Sequence, residues 1–259
     1  MARKIVVTSG KGGVGKTTVC VLLGEALSKM NNKVIILDLD FALNNLDVVA
    51  GVEDKVVYDI ADVVEGRCRA RQAIIEVSRN LSVIQSDRSF SGDVTGQNVR
   101  LLIEGLNDKY DYVLLDCPAG IEGGFTRAVS ASDEALVVVN PSLSSLRDAD
   151  KVINLLMQYK LKDINVVVNK VRGDLIKKGK SISVEEIEEI IKVPVIGAIP
   201  DDDEVLTLSG PELSPSRAAK AFKMLAKYTV KGSGKVYDCQ SDFKGAFGRL
   251  KNLFAGGRK

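Results

Sequence analysis

Apolar positions along this chain fall into two patterns that take turns. Short runs rich in Val, Ile and Leu occur at 5–8 (IVVT), 34–38 (VIILD), 81–85 (LSVIQ), 112–116 (YVLLD), 135–140 (ALVVVN), 164–169 (INVVVN) and 195–199 (VIGAI). Most are apolar throughout, as expected of strands buried on both faces. Between them, stretches near 16–30, 56–65, 96–108, 145–160, 183–191 and 214–230 read as helices. This alternation predicts an α/β fold: a doubly wound, mostly parallel sheet with helices on both sides. Ligands bind such sheets at the C-terminal ends of the strands, so the residues that end each run are the first candidates for chemistry.

The first run leads into TSGKGGVGKTT, residues 8–18, and then into a helical stretch. Gly10, Gly15, Lys16 and Thr17 form G-x-x-x-x-G-K-T between strand and helix, the context a phosphate-binding loop requires. Glycines at 10, 12, 13 and 15 let successive N–H groups of Gly10–Thr18, Val14 included, turn inward on phosphate oxygens. The helix N-terminus adds the positive end of its dipole. Lys16 is placed for the β- and γ-phosphates, Thr17 for a Mg²⁺ ion, and Thr18 for the α-phosphate.

Such chemistry needs carboxylates on neighbouring strand ends. Asp38 and Asp40 follow VIIL, and Asp116 follows YVLL. Taken singly, each could equally be a helix cap or turn residue. The chain has no histidine, which excludes Ser-His-Asp and Cys-His catalysis, His-ligated metals and His proton shuttles. Four cysteines (Cys20, Cys68, Cys117 and Cys239) include no C-x-x-C pair and read as reduced, mostly buried thiols. Gly120, Gly123 and Gly124 follow Asp116, either as plain turn residues or as hinges for a loop that moves when the γ-phosphate leaves.

Composition adds the boundaries. At 259 residues with 45% hydrophobic and 27% charged, the chain reads as one large globular domain. No leader is expected at the N-terminus, and no apolar run approaches the ~18 residues that span a bilayer. The net charge of +2 is unevenly spread. Residues 231–259 carry Lys231, Lys235, Lys244, Arg249, Lys251, Arg258 and Lys259 against Asp238 and Asp242, so that this stretch is net +5 and the rest net −3. The domain is therefore expected over 1–230, a flexible Gly/Ser linker over 231–241, and a basic amphipathic helix over 242–259. In the last, Phe243, Phe247, Leu250, Leu253 and Phe254 share one face, with Lys244, Arg249 and Lys251 on or beside the other. That pattern suits either packing on the core or a membrane surface rich in anionic lipid.

The loop KGGVGKTT resembles that of the MinD/ParA family of P-loop ATPases, and the likeness extends over DLDFALNNLD, VVYDI, DCPAGIE, NPSLSSLRDADK, VPVIGAIPDDDEV and the basic tail. It implies that Lys11 reaches across an ATP-dependent homodimer to the partner's phosphates. It implies that Asp116 holds the magnesium waters, that Asp40 orients the attacking water, and that Asp38 assists the water or the metal shell. Asn169 and Pro200–Asp202 are implied to border the adenine. The resemblance implies ATP and Mg²⁺ as cofactors, with the protein cytoplasmic and peripheral on the inner face of the cell membrane. Implied partners are a MinC-like division inhibitor and a MinE-like topology factor or polar scaffold. A ParA-like DNA-partition ATPase and a flagellar-number or pole-positioning relative are the alternatives. The net −3 of residues 1–230 disfavours nucleic acid.

Overall fold

The computed structural model describes residues 1–41, 45–86, 94–208 and 210–243. The expectations for Lys244, Phe247, Arg249, Leu250, Lys251, Leu253 and Phe254 lie outside the described residues. Eight strands form one sheet: β1 (Arg3–Thr8), β2 (Val34–Asp38), β3 (Ile75–Ser78), β4 (Leu81–Ile84), β5 (Tyr112–Asp116), β6 (Glu134–Val139), β7 (Asp163–Val171) and β8 (Val195–Pro200). Their order is β3-β4-β2-β5-β1-β6-β7-β8, parallel at every junction except the β3–β4 hairpin. The helices are α1 (Lys16–Ser28), α2 (Leu46–Ala50), α3 (Ile60–Val64), α4 (Ala70–Ala73), α5 (Gly96–Glu104), α6 (Gly123–Ser130), α7 (Leu143–Leu156), α8 (Gly173–Lys177), α9 (Val184–Ile191), α10 (Asp203–Leu206) and α11 (Arg217–Lys231).

Each face of the sheet is covered. Ile35, Leu37 and Val113 pack towards α5, α6, α7 and α9, where Val99, Phe125, Ile153 and Ile187 are buried. Val34, Ile36 and Leu114 pack towards α1 and α11, where Leu23, Phe222 and Leu225 are buried. Adjacent residues of one strand thus serve opposite layers, which is why the runs are apolar throughout. All seven runs appear as strands within a residue or two of their expected ends. The stretch 56–65 shortens to a single turn of helix at Ile60–Val64, capped by Asp59. The sequence reading passed over β3, only four residues long, and α6, which opens on Gly123 and Gly124. Neither carries a period long enough to count.

The stretch 231–241 departs from the flexible linker expected of it. Gly232 caps α11 in the left-handed region (φ 70) and residues 231–235 are exposed. From Val236 the chain is held: Val236 and Tyr237 pack on the core, and Cys239 is buried with its Sγ 3.8 Å from the Ala198 carbonyl. Lys177 donates to the carbonyl of Phe243. Phe243 itself is buried, so this residue, expected on the apolar face of the terminal helix, belongs to the domain. The Gly and Ser residues set the composition of this stretch, but its apolar residues decide its packing. The α11 end lies beside Arg3, which starts β1 and donates to the Thr229 carbonyl; Gly173 and Lys177 follow the far end of β7. Residues 232–243 therefore run back as a strap from the N-terminal to the C-terminal edge of the sheet.

Gly173 is the seat of this strap. A Cβ there would lie 1.8 Å from the Cys239 carbonyl oxygen. Gly173→Ala is expected to lift the strap, costing about 1–3 kcal/mol and opening 236–243 to protease. Thermal unfolding and limited proteolysis check this; an unchanged midpoint and cleavage pattern would contradict it.

Candidate functional site

The phosphate loop spans the gap between β1 and α1, at the C-terminal edge of the sheet. Two of its glycines are demanded by neighbours. A Cβ on Gly10 would lie 2.2 Å from the carbonyl carbon of Asp148 in α7. Gly15 has φ 93, and a Cβ there would lie 2.5 Å from Asn169 Nδ2. Gly13 is also left-handed at φ 76, whereas Gly12 would meet nothing. Ser9 Oγ donates to the Lys11 carbonyl at 2.8 Å and pins the start of the loop. Lys16 is buried, while Lys11 is exposed and its ammonium makes no hydrogen bond or ion pair among the described residues.

Register explains the carboxylates. β2 pairs with β5 so that Asp38 faces Asp116, and β1 pairs with β5 so that Val7 faces Asp116. Asp116 therefore sits directly beside the strand that feeds the loop. Both carboxylates are buried. Asp38 accepts from the Asp40 N–H and from Gln85 Nε2, each at 2.9 Å. Burial, and then the charge of Asp116, push Asp38 well above the ordinary carboxyl range. Asp116 is pushed up to about 6, chiefly by burial; the Thr17 hydroxyl hydrogen bond and the charge of Lys16 work against that rise. Its Oδ1 has no hydrogen-bond partner among the described residues. Asp40 is buried next to this pair, with its carbonyl accepting from Ser86 Oγ at 3.4 Å.

An unpartnered, buried carboxylate oxygen beside a threonine hydroxyl is an all-oxygen donor set, which suits a hard dication. Among the described residues no group of three or more Cys, Asp or Glu is arranged to hold a metal. Mg²⁺ bound through phosphates needs only one or two protein ligands, so Thr17 and Asp116 fit it. Asp38 accepts on both oxygens, from Gln85 Nε2 and the Asp40 N–H, so less of its lone-pair capacity is open than at Asp116.

The residues expected around the base have partners of their own. Asn169 Nδ2 donates to the Val14 carbonyl at 2.8 Å, and the next residue, Lys170, donates from Nζ to the Gly13 carbonyl at 3.0 Å. Asn169 thus braces the loop from behind. With its amide turned to donate, Asn140 reaches the carbonyls of Val14 and Asn169, both at 3.3 Å. Pro200 ends β8 opposite Val171. The Asp202 carboxylate is committed to structure: it caps α10 by accepting from the Glu204 N–H at 3.3 Å, and it holds the first turn of α11 by accepting from the Ala218 N–H at 3.1 Å. Sequence reasoning missed Lys170, Asn140, Gln85 and Ser86. One signal was available, since VVVN occurs twice, at 137–140 and 166–169, once just past the end of β6 and once near the end of β7.

Residues 5–213 match the model of the CobQ/CobB/MinD/ParA nucleotide-binding domain. The chain belongs to this family. It is 37% identical to the septum site-determining protein MinD of Bacillus subtilis, with 98% of each chain covered. It overlays a MinC:MinD cell division protein complex from Aquifex aeolicus with a TM-score of 0.83 at 38% identity, covering 90% of this chain and 97% of that one. It overlays MinD complexed with Mg-ADP from Pyrococcus horikoshii with a TM-score of 0.79 at 31% identity, covering 89% and 97%. Likeness to MinD over nearly the whole chain assigns the protein a MinD cell-division function and makes it a nucleotide-hydrolysing enzyme.

The pair of buried carboxylates has a pH signature. An unfolded Asp titrates near ~3.9. With the folded value raised to about 6, Asp116 favours the fold below the unfolded value, and that benefit is lost as pH rises through about 6. In protein free of nucleotide and magnesium, the wild type is expected to lose stability relative to Asp116→Asn as pH goes from about 4 to about 7, by up to about 3 kcal/mol. Urea unfolding across that range checks it, and a flat difference would contradict it.

Proposed function

We propose that this MinD relative binds ATP with Mg²⁺ in the loop Gly10–Thr18, dimerises, and docks on the inner face of the cytoplasmic membrane to recruit a MinC-like division inhibitor. The observation that carries the reading is Asp116 Oδ1, unpartnered among the described residues and buried beside Thr17 and Lys16 at the start of α1. Isolated, that oxygen is costly. It is satisfied when the site is loaded.

The loop's N–H groups and Lys16 would hold the phosphates, and Thr17 with Asp116 would hold the ion. Mg²⁺, when bound, neutralises charge on the β- and γ-phosphates. Asp40, fixed next to Asp38, is the candidate to orient water, with Asp38 steadying it. Little base strength is required, because positioning and charge stabilisation dominate phosphoryl transfer. Lys11 is exposed and makes no ion pair among the described residues, in keeping with a cation supplied to a second copy. Asn169 and the backbone of Pro200–Asp202 are the candidate edge for the adenine.

The membrane reading rests on the sequence of residues 244–259 and on the strap, which releases that sequence at the sheet edge carrying the loop. Each cation near an anionic surface adds about 1 kcal/mol. A dimer presents two such tails, and the second docks as an effectively intramolecular event. No helix among the described residues is long and apolar enough to cross a membrane. A MinE-like factor that stimulates hydrolysis would release the protein.

Co-sedimentation with anionic vesicles tests this. The full chain is expected to pellet with ATP and not with ADP, and a truncation after Phe243 to stay in solution with either. Lys16→Ala is expected to lower turnover by about a hundredfold or more. Lys11→Ala is expected to retain ATP binding but lose turnover on the order of a thousandfold. Pelleting that ignores the nucleotide, or survives the truncation, would overturn the membrane switch; ATP-dependent binding to DNA would favour the ParA-like alternative.

A further inference from the structure

Strand β7 is bulged where it meets the phosphate loop. Its pairing with β8 runs Val168 opposite Ala198 and then Val171 opposite Pro200, so one extra residue is fitted in at 169–170. Lys170 takes a left-handed backbone at φ 55, a conformation that an L side chain such as lysine rarely adopts. A strained bulge held in place beside a ligand loop is a reason to look for a task.

The task is visible in the hydrogen bonds. Asn169 donates to the Val14 carbonyl and Lys170 to the Gly13 carbonyl, so two consecutive residues of the bulge hold two consecutive carbonyls of the loop. The chain has no cis peptide among its described residues. In a planar trans peptide the C=O and the following N–H point in opposite directions. Holding the carbonyls of Gly13 and Val14 against β7 therefore turns the N–H groups of Val14 and Gly15 away from it, towards the mouth of the loop. Neither N–H finds an acceptor among the described residues. An ammonium on the Gly13 carbonyl also polarises that peptide, which strengthens its N–H as a donor to an anion.

We infer that Asn169 and Lys170 form a clamp that pre-organises the phosphate loop for a polyphosphate, with Lys170 a positioning residue that acts through the Val14 N–H. The inference rests on the nucleotide-binding reading above and sharpens it: Lys170 serves the phosphates and is indifferent to the base.

Inorganic tripolyphosphate, which has no base, separates the possibilities. The full chain, Lys170→Asn and Lys170→Arg are titrated with ATP and with tripolyphosphate, each with Mg²⁺, and thermal unfolding is recorded without ligand. Asparagine accepts the left-handed backbone but is too short to reach Gly13. Lys170→Asn is expected to weaken both ligands by a similar factor, about tenfold, with the ligand-free midpoint unchanged, and Lys170→Arg to keep most of the affinity. Should Lys170→Asn fail to fold, Lys170→Gly adopts the same backbone freely and carries the same comparison. Wild-type affinity in the variant, or weakening confined to ATP, would overturn the clamp while leaving the nucleotide reading intact. A wild type that binds neither ligand would overturn both.

Discussion

Two carboxylates buried side by side on neighbouring strands are an electrostatic burden, and much of the architecture is arranged around it. Like charges this close, out of water, resist ionising together, as the raised values of Asp38 and Asp116 register. The domain meets the burden with Lys16, the Thr17 hydroxyl, Gln85 and the Asp40 N–H, all brought in by parallel pairing about the central strand β1. Of the two carboxylates, Asp116 keeps one oxygen without a hydrogen-bond partner among the described residues. A parallel sheet is well suited to such a centre, because every strand delivers its last residue to the same edge, while two apolar layers hold the strands in register.

Much of this was legible from residue types alone, and the legible parts have a common cause. A strand buried on both faces has no polar positions, so runs such as VIILD and YVLLD announce both the element and the carboxylate that ends it. The phosphate loop is equally open to reading, since left-handed backbone at Gly13 and Gly15 and the close approach of α7 to Gly10 restrict those positions to glycine.

The rest depended on contacts between distant segments. Lys170 looks like an ordinary surface lysine, and only the bulge in β7 carries it to Gly13. Asn169 is expected at the adenine and is found holding the Val14 carbonyl, because an amide near a strand end can serve a base edge or a backbone carbonyl and local sequence does not choose between them. Asp202 looked like one more acidic turn residue at the site, yet two helix starts occupy its carboxylate. The linker was misjudged because glycine and serine dominate a composition, whereas Tyr237, Cys239 and Phe243 dominate an energy.

The strap bears on how copies of this protein can meet. A sheet normally ends in a strand whose unpaired N–H and C=O groups invite another chain to add itself. Here the strap meets β8 at Cys239, whose Sγ lies against the Ala198 carbonyl, and the opposite margin, β3, is four residues long, antiparallel and irregular between Glu76 and Ser78. Both margins are poor templates for sheet-to-sheet growth. Any association of copies would fall to loops and helix faces, where contacts form and dissolve without re-pairing backbone. A molecule built this way can gather at high local density and still come apart again.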